Sequence, residues 1–98
     1  MNINIERKNG RVLMKVEGRL DTTTAPELEK TINGEGVELQ NLVLDFEGVD
    51  YISSAGLRVL LTAQKKMNAQ GYMELINVSE AVMDIFEMTG FAEILVIK

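Results

Sequence analysis

The stretch that decides the fold spans residues 42–61 and reads LVLDFEGVDYISSAGLRVLL. It opens on a nearly continuous apolar run, Leu42–Phe46, which is the pattern of a strand covered on both faces. A loop, Glu47–Ser53, is predicted to follow, and an amphipathic helix to begin near Ser54. The Ser54 hydroxyl then faces free backbone N–H groups and the positive end of the helix dipole. A phosphate added there changes the surface charge by about −1.5 to −2, so this serine is an obvious place for a reversible modification.

The residues before this stretch predict a hairpin and a helix. Alternating apolar residues indicate two antiparallel strands, around Ile3 and Ile5 and around Val12, Met14 and Val16, joined by the Asn9-Gly10 turn signal. A loop over Gly18–Thr23 follows. Residues 24–27, Thr-Ala-Pro-Glu, read as a capping box at the start of a helix. That helix is predicted to continue through Ile32 and to fail at Gly34 and Gly36.

The residues after it predict two more helix–strand steps. The helix from Ser54 is expected to end at Gly71 in a left-handed conformation. A strand over Tyr72–Ile76 follows, and then a helix capped by Ser79 and closed by Gly90. Residues 94–97 are expected to form a short last strand. Because strands and helices alternate after the hairpin, the sequence predicts a single α/β domain over residues 1–98, with a mixed β-sheet packed against helices.

Composition excludes most kinds of chemistry. The 98 residues contain no cysteine and no histidine, which removes disulfides, thiol catalysis, the commonest general base and the commonest metal ligand. A Ser-His-Asp arrangement therefore cannot be built within the chain. The net charge of −5 argues against nucleic acid and anionic membranes as partners. With no long apolar run and no signal peptide pattern, a soluble cytoplasmic protein is expected, without cofactor or metal.

Three segments carry a resemblance to a known family. Residues 45–57, DFEGVDYISSAGL, closely resemble the signature of STAS domains, named for sulfate transporters and anti-sigma factor antagonists. The Gly18–Asp21 segment with Thr24-Ala25 is similar to the family's loop before the first helix. Residues 82–91 are similar to its last helix and terminator. The likeness covers essentially the whole chain in order.

The resemblance implies a stand-alone anti-sigma factor antagonist rather than an enzyme. In such proteins the unphosphorylated form binds an anti-sigma factor that is also a serine kinase, and so frees a sigma factor. The kinase then phosphorylates the serine at the helix start, and a separate PP2C-type serine phosphatase resets the protein. That serine falls on Ser54. Many members carry aspartate where this chain has Ser53, and serine or threonine where it has Ala55; the second departure removes a competing acceptor.

Each site residue also has a purely structural interpretation. Ser54 alone would be read as the helix N-cap, a role compatible with phosphorylation. Ser53 is a loop or capping residue, or an alternative acceptor. Gly56 is explained by a partner's close approach to the backbone or by helix-to-sheet packing. Asp21 lies at the partner-binding surface that the resemblance implies, or stabilises an Asx-type turn. The predicted partner-binding residues are therefore Asp21, Ser53, Ser54 and Gly56.

The sequence also allows two other functions. The first alternative is a STAS interaction module of a sensory complex or transport system, in which Ser54 is never phosphorylated. A small enzyme or nucleotide-binding protein is the third hypothesis. Against it stand the missing histidine and cysteine and the lack of a Gly-rich phosphate-binding loop.

Overall fold

The computed structural model describes residues 1–35 and 39–98. Its regular elements are, in chain order, β1 (Asn2–Lys8), β2 (Arg11–Glu17), α1 (Ala25–Asn33), β3 (Asn41–Gly48), α2 (Ser54–Gln70), β4 (Tyr72–Ile76), α3 (Glu80–Thr89) and a short 3₁₀ helix (Phe91–Glu93). None of the helices in these two ranges has the length and hydropathy needed to span a membrane.

The four strands form one mixed sheet in the order β1-β2-β3-β4. β1 and β2 are antiparallel and joined by Asn9 and Gly10, whose positive φ angles of 51° and 81° suit a tight hairpin. β2, β3 and β4 are parallel to one another. α1 connects β2 to β3 and α2 connects β3 to β4, and the two helices contact each other. Crossovers of the usual right hand, made in the same direction along the sheet, place both helices on one face. The predicted α/β class with a mixed sheet is confirmed.

The centre of the core lies on β3, as its continuous apolar run predicted. Leu42, Leu44 and Phe46 are fully buried, and Val43, on the opposite face, is 2% exposed. On β2 burial alternates, since its three even-numbered apolar side chains are buried and the odd-numbered ones are more exposed. One core therefore joins the sheet to all three helices through Leu28 and Ile32 of α1, Leu57, Leu60 and Met67 of α2, and Val82 and Phe86 of α3.

Two predictions about the ends of β3 and α2 need correction. β3 continues to Gly48, because Gly48 pairs with Glu17 beyond a register shift in β2, so the predicted loop over Glu47–Ser53 is shorter. Gly71 is extended, with φ 175°, rather than left-handed. A side chain there would collide with the carbonyl oxygen of Gln40, which explains the glycine by close backbone approach.

The last predicted strand is reduced to a single parallel bridge between Leu75 and Ile97. The N–H of Leu75 donates to the carbonyl of Val96 at 2.9 Å, and the N–H of Lys98 donates back to Leu75 at 2.9 Å. The predicted α3 boundaries are confirmed: Ser79 Oγ accepts from the Val82 N–H, and Gly90 is left-handed with φ 83°. α1 ends at Asn33 before Gly34, and Gly36, the other predicted terminator, lies outside the described residues.

We expect α3 to be required for stability through one buried side chain. Phe86→Ala should lower the free energy of unfolding by about 3–5 kcal/mol, because Phe86 is fully buried. Met88→Ala, two residues later and 83% exposed, should change it by less than about 0.5 kcal/mol. Urea unfolding followed by circular dichroism measures both. Equal losses in the two variants would show that α3 is not packed as described.

Candidate functional site

Two loops meet at the end of the sheet where β2 and β3 finish. The N–H of Leu20 donates to the carbonyl of Tyr51 at 3.0 Å, and the N–H of Ser53 donates to the carbonyl of Leu20 at 2.9 Å. These two bonds form a parallel bridge between Leu20 and Ile52, beyond the last residues of the strands. The bridge brings the predicted Asp21 loop and the Ser53–Ser54 segment together, although 30 or so residues separate them in sequence.

Ser53, and not Ser54, is the N-cap residue of α2. Its backbone is extended, with φ −99° and ψ 176°, because its N–H is held in the bridge to Leu20. Its carbonyl accepts the first intrahelical bond, from the Leu57 N–H at 3.0 Å. The predicted capping role of Ser54 is therefore wrong by one position. Ser54 is the first helical residue, and its side chain is exposed to solvent.

The Ser53 hydroxyl does not cap the helix. Its oxygen is buried and has no hydrogen-bond partner among the described residues. No described side chain accepts from the first backbone N–H groups of α2, which carry the positive end of the helix dipole. The start of α2 is consequently an electropositive surface beside the exposed Ser54 hydroxyl.

Asp21 organises its own loop. Its Oδ1 accepts hydrogen bonds from the N–H groups of Thr23 at 3.0 Å and Thr24 at 3.1 Å. The Asx-turn interpretation is therefore correct as a local description, while contact with a partner stays a prediction. The backbone N–H of Thr24 is the main cause that lowers the pKa of the Asp21 carboxyl below its ordinary value, and Arg19 adds a smaller electrostatic effect.

The predicted capping box at Thr24 does not form. The Thr24 hydroxyl accepts from the Asp21 N–H at 2.9 Å and donates to the Arg19 carbonyl at 2.6 Å. Thr24 thus bonds backwards to the loop and makes no side-chain bond to the helix. The sequence indicated an Asx turn at Asp21, but not that this turn engages the Thr24 hydroxyl.

A cation–π contact joins the two loops on their solvent-exposed side. The Arg19 guanidinium carbon lies 4.1 Å from the centre of the Tyr51 ring, and Arg19 Nε lies 3.8 Å from Asp21 Oδ2. Sequence reasoning did not single out Arg19 or Tyr51, since neither lies at a helical or strand spacing from the site. The contact places the exposed, positively charged guanidinium group of Arg19 next to the bridge.

Gly56 lies in the first turn of α2 and is buried against the bridge. A Cβ at this position would lie 2.7 Å from Ile52 Cγ1 and 2.8 Å from Leu20 Cγ. Packing of the helix against the two loops is therefore sufficient to explain the glycine, and no contact with a partner protein is needed to account for it. The predicted partner contact of Gly56 stays a prediction.

Arg58 lies one helical turn after Ser54, and both side chains are exposed. Residues four apart on a helix have neighbouring side chains, with Cβ atoms about 5–6 Å apart. Arg58 also lines a surface groove between α1 and α2 with Thr22, Pro26 and Glu29. The electropositive helix start thus has a cation beside it.

The described residues contain no group of three or more carboxylate, histidine or cysteine side chains that could hold a metal ion. Asp45 is used structurally, since its Oδ1 accepts from the Glu47 N–H at 3.0 Å and from the Asn77 side chain at 3.1 Å. The site therefore consists of an exposed hydroxyl, a helix terminus and a braced loop, an arrangement suited to recognition and to receiving a modification.

Comparison with known proteins places the chain in a family. The profile of the STAS domain matches residues 2–98. The anti-sigma-B factor antagonist of Listeria monocytogenes is 32% identical over 106 aligned positions, covering 100% of this chain and 90% of that protein. The chain belongs to the STAS domain family.

Solved structures confirm the fold. SpoIIAA, an anti-sigma factor antagonist, superposes in its unphosphorylated form with a TM-score of 0.82 and 19% identity, over 99% of this chain and 88% of that one. The phosphorylated form of SpoIIAA, described as a Bacillus cell fate determinant, gives a TM-score of 0.75 and 18% identity, over 99% and 91%. The predicted resemblance to STAS domains and anti-sigma factor antagonists is thereby confirmed.

We expect Gly56→Ala to destabilise the protein. The added methyl group overlaps Leu20 and Ile52, and overpacking of this kind costs about 1–3 kcal/mol, more than the gain of about 0.5–1 kcal/mol from replacing a helical glycine. Chemical denaturation measures the loss. Arg58→Ala, on the exposed side of the same helix, is the control and should stay within about 0.5 kcal/mol of the wild type. A Gly56→Ala protein as stable as the wild type would contradict the packing explanation.

Asp21 should make stability depend on pH in the acid range. Its pKa is lower in the folded state than in the unfolded state, so the carboxylate stabilises the fold above its ordinary pKa of 3.8, and this contribution disappears as the pH falls through the lowered value. Asp21→Ala should therefore be less stable than the wild type at pH 7, with the difference shrinking below about pH 4. Denaturation at several pH values measures it. A difference that is constant from pH 7 to pH 2 would exclude the carboxylate as its source.

Proposed function

We propose that this protein is an anti-sigma factor antagonist controlled by phosphorylation of Ser54. Its unphosphorylated form binds an anti-sigma factor that is also a serine kinase, and this binding releases a sigma factor in the cytoplasm. Phosphorylation of Ser54 by that kinase ends the complex, and a PP2C-type serine phosphatase restores it. The protein acts as a substrate and binding partner rather than as an enzyme. The observation that carries the proposal is the exposed Ser54 hydroxyl at the first residue of α2.

The neighbouring hydroxyls support Ser54 as the acceptor. The Ser53 oxygen is buried, so a kinase cannot reach it without opening the loop. The Thr24 hydroxyl is engaged in the Asx turn. Ala55 offers no hydroxyl at the next position. Thr22 and Thr23 are exposed on the Asp21 loop, just before the N-cap residue of α1, and serve as alternatives for the test.

The proposed partner surface has an exposed part and a supporting part. Ser54 is exposed and Asp21 half-buried, so both present polar groups to a partner. Ser53 and Gly56 shape that surface from below, since the Ser53 oxygen is buried and Gly56 packs on Leu20. Relatives named as anti-sigma factor antagonists support a protein partner for this surface.

A phosphate on Ser54 is compatible with the fold. It would lie at the helix N-terminus, where an anion is favoured by the dipole and by unpaired N–H groups. Arg58, at the i+4 position, supplies a cation within reach of the phosphate. We therefore propose that phosphorylation changes the charge of the surface and leaves the backbone in place. The unphosphorylated and phosphorylated forms of SpoIIAA both superpose on this chain, which supports this mechanism by analogy.

Charge repulsion would account for release of the partner. A kinase must bring ATP phosphates close to Ser54, so the product faces ADP and acidic groups across a short gap. Two unit charges about 5 Å apart repel by roughly 3 kcal/mol at an effective dielectric of about 20. Since about 1.4 kcal/mol is a tenfold change in affinity, a loss of at least about a hundredfold is expected even after screening.

We expect the cognate kinase and ATP to place one phosphate on Ser54 and to weaken binding at least about a hundredfold. Ser54→Ala should stay bound under the same conditions. Because Ser54 makes no cap bond, that variant should keep its stability within about 0.5 kcal/mol. Tandem mass spectrometry locates the phosphate, and calorimetry with and without ADP measures affinity.

Ser53→Ala is the matched control and should still be phosphorylated. A phosphate on Ser53, Thr22 or Thr23, or no phosphate at all, would refute the assignment of Ser54. A folded Ser54→Ala protein that fails to bind would make the hydroxyl a required contact. If the ratio of the affinities of the unphosphorylated and phosphorylated forms does not change with salt or with ADP, steric blockage rather than charge repulsion causes release.

A further inference from the structure

The negative charge of the chain is concentrated in its last segment. Residues 77–97 contain four acidic side chains and no lysine or arginine, so they carry −4 of the net −5. The acids are Glu80, Asp84, Glu87 and Glu93. All four are exposed, and none forms an ion pair with another described residue. Lys98 is the first cation beyond them, and its backbone is held against Leu75.

Apolar side chains are exposed in the same segment. Met88 is 83% exposed and Ile94 46% exposed, the two highest values among the large apolar side chains described. α3 packs on the core through Val82 and Phe86, which lie on one side of the helix. Ala81, Ile85 and Met88 recur at i, i+4 and i+7 and so form a second stripe beside the first. Ala81 and Met88 are exposed and Ile85 is half-buried.

The two exposed apolar residues belong to one corner of the molecule. The left-handed Gly90 turns the chain after α3, and the 3₁₀ helix that follows packs against α3. The N–H of Ile94 donates to the carbonyl of Phe91 at 3.0 Å and so completes the 3₁₀ turn. We call the surface made by Ala81, Ile85, Met88 and Ile94 the α3 flank.

We propose that the α3 flank binds a cationic amphipathic helix of a protein partner. The apolar stripe requires an apolar complement, and the unpaired carboxylates around it require a basic one. Like charge disfavours a second copy of this chain, nucleic acid or an anionic membrane at this surface. Met88 suits such a role because its unbranched, polarizable side chain adapts to the groove or ridge that it meets.

The α3 flank is separate from the surface around Ser54. The Ser79 hydroxyl lies 3.4 Å from the carbonyl of Val49, so the start of α3 is attached to the loop that leads to Ser54. α3 then runs for 10 residues, or about 15 Å, and Met88 lies near its far end. The inference therefore goes beyond the proposed function and does not depend on phosphorylation of Ser54.

Two peptide probes test the proposal. The first is an 18-residue amphipathic helix of leucine and lysine, and the second has glutamate in place of every lysine. The lysine peptide should shift amide resonances of residues 80–95 and no other contiguous region. The glutamate peptide should bind at least tenfold more weakly. Binding of the lysine peptide should weaken as salt rises, because the carboxylates are exposed.

Matched variants locate the binding. The double variant Met88→Gln with Ile94→Gln should lower the affinity for the lysine peptide at least tenfold. Tyr72→Gln, at another exposed large side chain, should keep this affinity within twofold of the wild type. Asp84→Lys with Glu87→Lys should also weaken it at least tenfold. The control with the same change in net charge is Glu27→Lys with Glu29→Lys on α1, which should stay within twofold. Ser54→Asp should leave binding unchanged.

Several results would overturn the proposal. Resonance shifts spread over the whole surface, or equal binding of the two peptides, would show that no specific site exists. Equal losses of peptide affinity in the α1 and α3 charge variants would show that the peptide responds only to the net charge of the protein. Self-association of the wild type in sedimentation at high concentration, abolished by Met88→Gln with Ile94→Gln, would make a second copy of the chain the occupant of the flank.

Discussion

The arrangement of the site depends on the backbone bridge between Leu20 and Ile52. The N–H groups of Leu20 and Ser53 each donate to a carbonyl of the other loop, so the two loops continue the parallel pairing of β2 and β3 past the ends of the strands. This pairing keeps Ser53 extended, and the helix begins only at the next residue. If the bridge were absent, nothing in the local sequence would decide whether Ser53 or Ser54 is the first helical residue.

The bridge also explains the small residue in the first turn of α2. A helix that begins directly over Leu20 and Ile52 has no room for a side chain at Gly56. The Asp21 loop is then braced on its outer side by Thr24, Arg19 and Tyr51. The exposed hydroxyl of Ser54 is therefore presented by a surface whose supporting residues are already bonded or packed. This bracing is consistent with the proposed switch, in which Ser54 gains a charge and the backbone stays in place.

α3 differs from the other two helices in the balance of its surface. Its core side is narrow, and its outer side combines exposed apolar side chains with carboxylates that have no partner among the described residues. Ser79 links its start to the loop before Ser54. The protein thus has two surfaces of different chemistry on one small core: a polar one that carries Ser54, and an apolar, acidic one along α3.

The sequence by itself determined the order of the elements, the mixed sheet and the family, because periodicity, turn residues and the motif at residues 45–57 are local properties. Tertiary structure alone decided the details of the site. The N-cap residue of α2 is Ser53 rather than Ser54 because of a backbone bond to Leu20. Thr24 is the N-cap residue of α1, but its hydroxyl bonds to the Asp21 loop instead of capping the helix. Gly71 is required by the backbone of Gln40, and the last strand shortened to one bridge. Each of these outcomes depends on a contact with a residue distant in sequence or on competition between two hydrogen bonds, and neither is visible in a local pattern.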